Sequence, residues 1–130
     1  MSQRILVIED HEENRRILRD LLASAGYELI EATTGEDGVR LAGAARPDLI
    51  LMDIQLPGVD GYEATRRIKG DPALRAIPII AVTSYALSGD DRKAMQAGCD
   101  AYVTKPFSPR ALLAKIREFL PQPARQVPSE

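Results

Sequence analysis

Acidic side chains follow two short apolar runs of the sequence, at points where the chain leaves a segment with the composition of a buried strand. Glu9 and Asp10 follow residues 5–8, and Asp53 follows residues 49–52. An acid at the end of a buried strand destabilises the fold unless a ligand or a cation pairs with it. These three carboxylates are therefore the first candidates for chemistry in this chain.

A hydroxyl and an ammonium group follow later apolar runs in the same manner. Thr83 comes after residues 78–82, and Lys105 comes after residues 101–104. Ligands of open α/β sheets bind outside the carboxyl ends of the strands, so all five side chains are expected at one rim. Taken singly, Asp10 could cap a helix, Thr83 could be an ordinary strand end, and Lys105 could be a solvated surface lysine. Their joint arrival at equivalent strand ends favours a site.

Three carboxylates in one shallow pocket repel one another. Two like charges about 4 Å apart at an effective dielectric constant of about 20 repel by roughly 4 kcal/mol. The pocket therefore needs a cation, or one acid must keep its proton. If oxygen atoms are its only ligands, a hard ion is favoured, and Mg²⁺ accepts a few carboxylates while keeping water molecules.

A bound Mg²⁺ would leave coordination positions for a phosphoryl oxygen, and the Thr83 hydroxyl and Lys105 ammonium could hold the others. This constellation suits a carboxylate nucleophile that takes up a phosphoryl group and forms an aspartyl phosphate. Asp53 is the expected nucleophile, because it is a single acid on the central strand. The adjacent Glu9 and Asp10 are better suited to metal binding.

The elements that must position these residues alternate along the chain, which predicts a (βα)5 fold. Strands are expected at residues 5–8, 28–32, 49–52, 78–82 and 101–104. Helices are expected from the apolar stripe Ile17, Leu18, Leu21, Leu22 and Ala25, at residues 35–45, 61–69 and 90–97, and after the N-cap Ser108 and Pro109. Nearly continuous apolar strands are typical of a parallel sheet that is covered on both faces, and right-handed crossovers make it a doubly wound α/β sandwich.

Length, composition and charge set further limits. The 130 residues fit one domain, expected at residues 1–120, with a polar, Pro-rich and flexible tail at residues 121–130. The net charge of -2 gives no bulk attraction to nucleic acid or to anionic lipid. The single cysteine excludes an internal disulfide, and no apolar run approaches the roughly 20 residues that span a bilayer. We expect a cytoplasmic protein that binds neither nucleic acid nor membrane.

Four motifs occur in the order of the predicted strands: "VIED", "LMDIQLPGVDG", "VTSYA" and "YVTKPF". With these motifs the chain, from residue 3 to about residue 120, resembles a response-regulator receiver domain, a signalling module with a flavodoxin-like fold. Within that family it resembles single-domain receivers of the DivK type, which share the dipeptide Gly98-Cys99 before the last strand.

The resemblance implies that Asp53 accepts a phosphoryl group from a phosphohistidine donor. It also implies that Glu9 and Asp10 bind Mg²⁺ together with Asp53, and that the backbone carbonyl of Gln55 completes the protein ligands.

The resemblance further implies a switch. Thr83 would bond the phosphoryl group, Lys105 would form an ion pair with it, and Tyr102 would turn into the space that Thr83 vacates. Tyr102 could also be a half-buried strand aromatic without a switching role. The peptide bond between Lys105 and Pro106 is expected to be cis, and the bulky Tyr85 is expected to slow hydrolysis of the acyl phosphate.

The implied partners are a histidine kinase or a histidine phosphotransfer protein and a downstream protein target, and activation could produce a homodimer. Docking is expected on the first helix, around Asn14, Arg15, Ile17 and Leu18. Without an output domain beyond the tail, the signal would leave by protein contact or by transfer of the phosphoryl group onward. The only reactions expected are the protein's own phosphoryl transfer and slow dephosphorylation, so it is not expected to be an enzyme.

Other functions stay open at this point. A phosphatase or dehalogenase-type hydrolase also uses an aspartate nucleophile, but its D-x-D pattern is replaced here by Asp53-Ile54-Gln55. A nucleotide- or flavin-binding module would need a glycine-rich motif after a strand, and none occurs in the right place. A phosphorylation-independent interaction module is the third alternative.

Overall fold

The computed structural model describes residues 3–83, 90–105 and 108–120 of the chain. The strands and helices alternate in the predicted order. They are β1 (Arg4–Ile8), α1 (Glu12–Ser24), β2 (Glu28–Ala32), α2 (Gly35–Ala45), β3 (Leu49–Asp53), α3 (Gly61–Lys69), β4 (Ile79–Thr83), α4 (Asp90–Ala97), β5 (Ala101–Thr104) and α5 (Pro109–Phe119). Every predicted strand is present within one residue of its expected bounds.

The five strands form one parallel sheet in the order β2-β1-β3-β4-β5. This is the strand order of flavodoxin-like doubly wound folds, and its switch point lies between β1 and β3. The predicted fold is confirmed. The strands also end nearly level with one another. The register pairs at this edge are Ile8 with Met52, Asp53 with Val82, and Thr83 with Thr104.

Burial along the strands follows their place in the sheet. Every residue of β3 and β4 is buried, and β1 is buried after its first residue. The edge strands β2 and β5 are partly exposed. The continuous apolar runs therefore mark the interior strands, as expected for strands covered on both faces.

Alternate strand residues pack into two separate cores. One face of the sheet packs with helices α1 and α5, through residues such as Ile5, Val7, Leu51, Leu18, Leu22, Leu112 and Ile116. The other face packs with α2, α3 and α4, through residues such as Leu6, Ile8, Met52, Ala42, Ala64, Ile68 and Ala94. The two helical layers hold the sheet rigidly, which fixes the positions of its strand ends.

Helix α1 differs in part from its predicted stripe. Leu18 and Leu22 are buried as expected, but Ile17 is 53% exposed. Neighbouring residues of an α-helix project about 100° apart. The face that packs on the sheet is centred on Leu18 and Leu22, so Ile17 falls outside it.

Side chains at the helix starts explain where three helices begin. Thr34 accepts a hydrogen bond from the backbone N–H of Asp37, and Asp60 accepts one from Glu63. Ser108 is the N-cap of α5, as predicted, and Pro109 follows at the first helical position.

In the described part of the chain, no helix has the length and apolar character needed to cross a membrane. The predictions for Tyr85, for the peptide bond before Pro106 and for the tail at residues 121–130 lie outside the described residues.

Candidate functional site

Asp53 is the last residue of β3, and only 2% of its surface is exposed. Its Oδ1 accepts a hydrogen bond of 3.0 Å from the backbone N–H of Gln55. Its Oδ2 is buried and accepts no hydrogen bond from the described residues. Because buried polar atoms are almost always partnered, this oxygen indicates a place for a missing ligand.

The environment of Asp53 disfavours its charged form. Burial, with a smaller contribution from the negative charge of Glu9, raises the pKa of Asp53 to about 6, although the charge of Lys105 opposes the rise. The hydrogen bond from Gln55 acts in the opposite direction but does not outweigh burial. A divalent cation would stabilise the ionised carboxylate, which a nucleophile requires.

Glu9 follows β1 directly and is also buried. Its Oε2 accepts a hydrogen bond of 3.0 Å from the backbone N–H of His11, and its Oε1 accepts one of 3.2 Å from Lys105 Nζ. Burial alone would raise the pKa of Glu9, but these hydrogen bonds and the Lys105 charge lower it. Of the two buried acids, Glu9 is therefore ionised more readily than Asp53.

Lys105 stands between the two buried acids. Its Nζ lies 3.2 Å from Glu9 Oε1 and 3.6 Å from Asp53 Oδ2. Its backbone N–H donates to the carbonyl of Thr83 at 2.7 Å, which fixes the end of β5 beside the end of β4. The side chain is 20% exposed, so the interpretation as a freely solvated lysine is wrong.

Asp10 and His11 complete the cluster on the solvent side. One possible ligand atom each from Glu9, Asp10, His11 and Asp53 lies within 4.8 Å of the others. The N-cap residue of α1 is His11 rather than Asp10, so the interpretation of Asp10 as a helix cap is wrong. The imidazole nitrogen of His11 also lies among the carboxylates, and the predicted set of oxygen ligands stays a prediction.

His11 contacts both acids of the first strand end. Its Nδ1 lies 3.1 Å from Glu9 Oε2 and 3.2 Å from Asp10 Oδ1. The hydrogen bond with Glu9, followed by the charges of Asp10 and Glu9, raises the pKa of His11. In the absence of another cation, a protonated imidazole can offset part of the charge of the acids.

The other predicted residues lie at the same edge of the sheet or near it. Thr83 is fully buried at the end of β4, and Gln55 follows Asp53 by two residues. Tyr102 lies on β5 beside Ala81 and is 38% exposed. The Gln55 carbonyl as a metal ligand and Tyr102 as a switch stay predictions.

Arg15 was expected in the docking surface on the first helix, but its contact with the backbone beside the acid cluster was not predicted from the sequence. Its Nη1 donates a hydrogen bond of 3.0 Å to the backbone carbonyl of Glu9, and its guanidinium also pairs with Glu12 and lies 3.5 Å from Glu31. The side chain is only 13% exposed, so Arg15 holds the backbone beside the acid cluster. Leu18 was expected in the same docking surface. That role is wrong for Leu18, because its side chain is buried in the core.

Gly61, the first residue of α3, packs directly behind the candidate nucleophile. A Cβ atom at this position would lie 2.5 Å from the backbone oxygen of Asp53 and 2.6 Å from Cα of Ile54. Only glycine allows this approach, and its N–H donates to the carbonyl of Ile54 at 3.1 Å. The start of α3 is therefore locked against the end of β3.

The donor set fits a divalent cation. It combines a buried, unpartnered carboxylate oxygen with two further carboxylates in a compact cluster at the end of the central strands. Carboxylate oxygens are the ligands that Mg²⁺ uses in proteins, and a cluster open to solvent on one side leaves room for its water molecules.

A flavodoxin-like sheet with clustered acids and a lysine at its strand ends defines the receiver class of signalling domains. Residues 5–117 match the response regulator receiver domain family, and the chain belongs to that family. It is 45% identical to the polar-differentiation response regulator DivK of Brucella anthropi over 120 residues, which cover 92% of this chain and 98% of the relative. The resemblance inferred from the motifs is confirmed.

Solved structures agree with this assignment. The receiver domain of the sensor histidine kinase PA1611 from Pseudomonas aeruginosa, with a magnesium ion coordinated in its active-site cleft, superimposes with a TM-score of 0.88 at 38% identity, covering 94% of this chain and 100% of that chain. A chain in the co-crystal structure of the Saccharomyces cerevisiae histidine phosphotransfer protein Ypd1 and the receiver domain of its downstream response regulator Ssk1 gives a TM-score of 0.84 at 30% identity, covering 91% of this chain and 88% of that chain.

Proposed function

We propose that this receiver domain is a phosphorylation-dependent switch of a phosphorelay and that Asp53 is its phosphoacceptor. The observation that carries the proposal is the environment of Asp53 Oδ2: it is buried, accepts no hydrogen bond from the described residues, and lies 3.6 Å from the ammonium group of Lys105. A carboxylate oxygen in this position can act as a nucleophile when positive charge offsets the repulsion of Glu9.

The proposed reaction moves a phosphoryl group between two atoms. Asp53 Oδ2 forms a bond to phosphorus while the bond between phosphorus and the donor's imidazole nitrogen breaks, and that nitrogen keeps the electron pair. Mg²⁺, when bound by Glu9, Asp10, Asp53 and the Gln55 carbonyl, supplies positive charge that opposes the charge of the phosphoryl oxygens. The buried strand end fixes Asp53, so little reorganisation precedes attack.

Lys105 and Thr83 act on the product. The Lys105 ammonium already lies near Asp53 and would pair with a phosphoryl oxygen, while the Thr83 hydroxyl would donate a hydrogen bond to another. Phosphorylation adds about -1.5 to -2 charges at this point. A shift of Thr83 would open space for Tyr102, two residues along the neighbouring strand, and so change the surface around β5.

The proposed donors are a histidine kinase and a histidine phosphotransfer protein, and the proposed output is contact with a downstream protein. The structural likeness to the receiver of the Ypd1–Ssk1 complex supports the choice of donor. A cytoplasmic location follows from such partners. Homodimerisation on activation is part of the same proposal. The proposed protein turns over no other substrate and does not bind nucleic acid.

An aspartate-dependent hydrolase is not favoured. Such an enzyme needs a second acid two residues after the nucleophile as its acid–base group, and Gln55 occupies that position. The amide of Gln55 does not ionise near neutral pH and so cannot act as a general acid or base. An interaction module that works without phosphorylation would gain nothing from a buried, unpartnered carboxylate.

The proposal predicts one phosphoryl gain at Asp53. The protein is incubated with acetyl phosphate and Mg²⁺, or with a phosphorylated histidine phosphotransfer protein, and its intact mass is measured. Wild type should gain one phosphoryl group, and chelation of Mg²⁺ should prevent the gain.

Asp53→Asn should remove the gain, because the amide is not a nucleophile. Asp37→Asn is the matched control, since this acid is exposed on α2 and its side chain pairs with Arg40. Phosphorylation that persists in Asp53→Asn, or that does not need Mg²⁺, would contradict the proposal.

A further inference from the structure

His11 is the only histidine of the chain, and its side chain is directed toward the acid cluster instead of capping its helix. The N-cap position favours Ser, Thr, Asp and Asn, whose side chains bond to the first turn of the helix. His11 makes no such cap hydrogen bond. Its Nδ1 instead contacts Glu9 and Asp10, so helix formation does not explain this side chain.

The cluster around His11 has a second feature that points to a ligand. Asp53 belongs to this cluster; its side chain is 98% buried, and its Oδ2 accepts no hydrogen bond from the described residues. The His11 side chain is 66% exposed and closes the same cluster from the solvent side. An ion entering from solvent would therefore meet an imidazole nitrogen before it met the buried oxygen.

We propose that His11 Nδ1 is a metal ligand that makes this site selective for borderline divalent ions such as Zn²⁺ over Mg²⁺. This inference rests on the proposed function in that both use the same ion site. Imidazole nitrogen suits Zn²⁺, whereas Mg²⁺ prefers oxygen and keeps several waters. A Glu, Asp and His donor set thus differs in kind from an all-oxygen set.

The spacing of the donor atoms is compatible with Zn²⁺, and the choice of this ion comes from the nitrogen donor. Bonds of about 2.0–2.1 Å in tetrahedral geometry put neighbouring ligand atoms roughly 3.4 Å apart. His11 Nδ1 lies 3.1 Å from Glu9 Oε2 and 3.2 Å from Asp10 Oδ1, close to that separation. Small adjustments of these side chains would suffice to bind the ion.

Selectivity has a regulatory consequence. Four protein ligands fill the coordination sphere of Zn²⁺, as in closed structural zinc sites. Asp53 would then coordinate Zn²⁺, and the ion would have no open coordination position for a phosphoryl oxygen. Zn²⁺ at this site should therefore oppose phosphorylation, and His11 should set how strongly it does so.

The first test measures binding without any phosphoryl transfer. Zn²⁺ and Mg²⁺ are titrated calorimetrically into wild type, His11→Asn and Asp53→Asn, all in a Cys99→Ser background that removes the single thiol of the chain. His11→Asn should weaken Zn²⁺ binding at least about tenfold more than it weakens Mg²⁺ binding. Equal weakening of both ions, or Zn²⁺ binding that Asp53→Asn leaves intact, would overturn the proposal.

The second test identifies the ligand atom. Because the chain has one histidine, the ¹⁵N spectrum of its imidazole has a single Nδ1 resonance, which Zn²⁺ should shift and Mg²⁺ should not. An unshifted Nδ1 resonance at saturating Zn²⁺ would overturn the proposal. Failure of both tests would leave Mg²⁺-dependent phosphorylation of Asp53 unaffected, whereas failure of the proposed function would be seen only in the mass experiment.

Discussion

The buried carboxylate of Asp53 destabilises the folded protein, and the proposed reaction requires this same burial. One of its oxygens has a backbone partner, and the other faces Glu9 and Lys105 without a hydrogen bond from the described residues. Burial and the neighbouring acid hold its pKa near 6. The side chain that makes the site reactive is thus also one that destabilises the folded, metal-free chain.

Replacement of Asp53 by Asn should stabilise the metal-free protein at neutral pH. The folded protein holds the Asp53 proton up to about pH 6, whereas the unfolded chain loses it near the ordinary value of 3.8. Between these values the folded state binds more protons, so the contribution of Asp53 to stability falls as pH rises. The two-unit difference corresponds to at most about 3 kcal/mol.

Urea unfolding of wild type and Asp53→Asn in chelator, from pH 4 to pH 8, would measure this difference. The variant should gain little at pH 4 and most above pH 6. Asp37→Asn serves as the control, because its exposed carboxylate has no comparable burial. A variant that is less stable than wild type at pH 8 would contradict the interpretation of Asp53.

The sequence predicted the buried acids and Lys105 because each follows an apolar strand, and strand ends meet at one edge of a parallel sheet. It did not predict that the side chains of His11 and Arg15 contact the residues of this cluster. Both belong to the β1–α1 loop and the first turns of α1, where side-chain direction depends on tertiary contacts. A histidine at an N-cap position, directly after two acids, was the signal that could have indicated His11.

Among the elements, the contact between α3 and β3 controls the site most directly. Gly61 begins α3 against the backbone of Asp53 and Ile54, and Asp60 caps the helix just before it. A side chain at residue 61 would have to push the helix away from the strand end. The position of Asp53 therefore depends on a residue that has no side chain of its own.

Gly61→Ala should destabilise the fold by about 1–3 kcal/mol, because the added methyl group meets backbone atoms that cannot rotate away. It should also slow phosphorylation by acetyl phosphate, since the end of β3 must shift. Chemical unfolding and the intact-mass assay measure the two effects.

Gly43→Ala in α2 is the matched control. A Cβ atom there meets nothing within 4 Å, and alanine favours helix more than glycine does. This variant should be as stable as wild type or gain up to about 1 kcal/mol. A Gly61→Ala protein as stable as the Gly43→Ala protein would show that the contact is not tight.

The periodicity of the sequence predicted the helices well, with α2, α3 and α4 at their expected bounds. It was less reliable for the faces of the helices. Ile17 has the apolar character of its neighbours but is exposed, because hydrophobicity does not specify which part of a broad stripe meets the sheet. Exposure of this side chain is compatible with the predicted docking surface on α1.

For the molecule as a whole, the ion site and the fold are linked. The acids come from β1 and β3, which pair at the centre of the sheet, so an ion that binds them holds the two strands together. Unfolding separates these acids and abolishes the site. Any ion that binds only the folded state must therefore raise the free energy of unfolding.

Mg²⁺ at about ten times its dissociation constant should raise the free energy of unfolding by about 1.4 kcal/mol. For a chain of this length the melting temperature should rise by roughly 3–6 °C. Thermal unfolding followed by circular dichroism, with Mg²⁺ and then with excess chelator, would measure the shift and its reversal. Sodium chloride at equal ionic strength controls for screening, and an equal shift in Asp53→Asn would contradict binding at this cluster.

The exposed margins of the sheet bear on how the protein behaves at high concentration. Strand β5 is only four residues long, and β2 carries the charged Glu28 and Glu31, the latter tied to Arg19 by two hydrogen bonds. Short or charged outer strands are poor templates for another chain to join by backbone pairing. Self-association of folded copies should therefore proceed through helical surfaces, and fibre growth by strand addition is disfavoured from both sides.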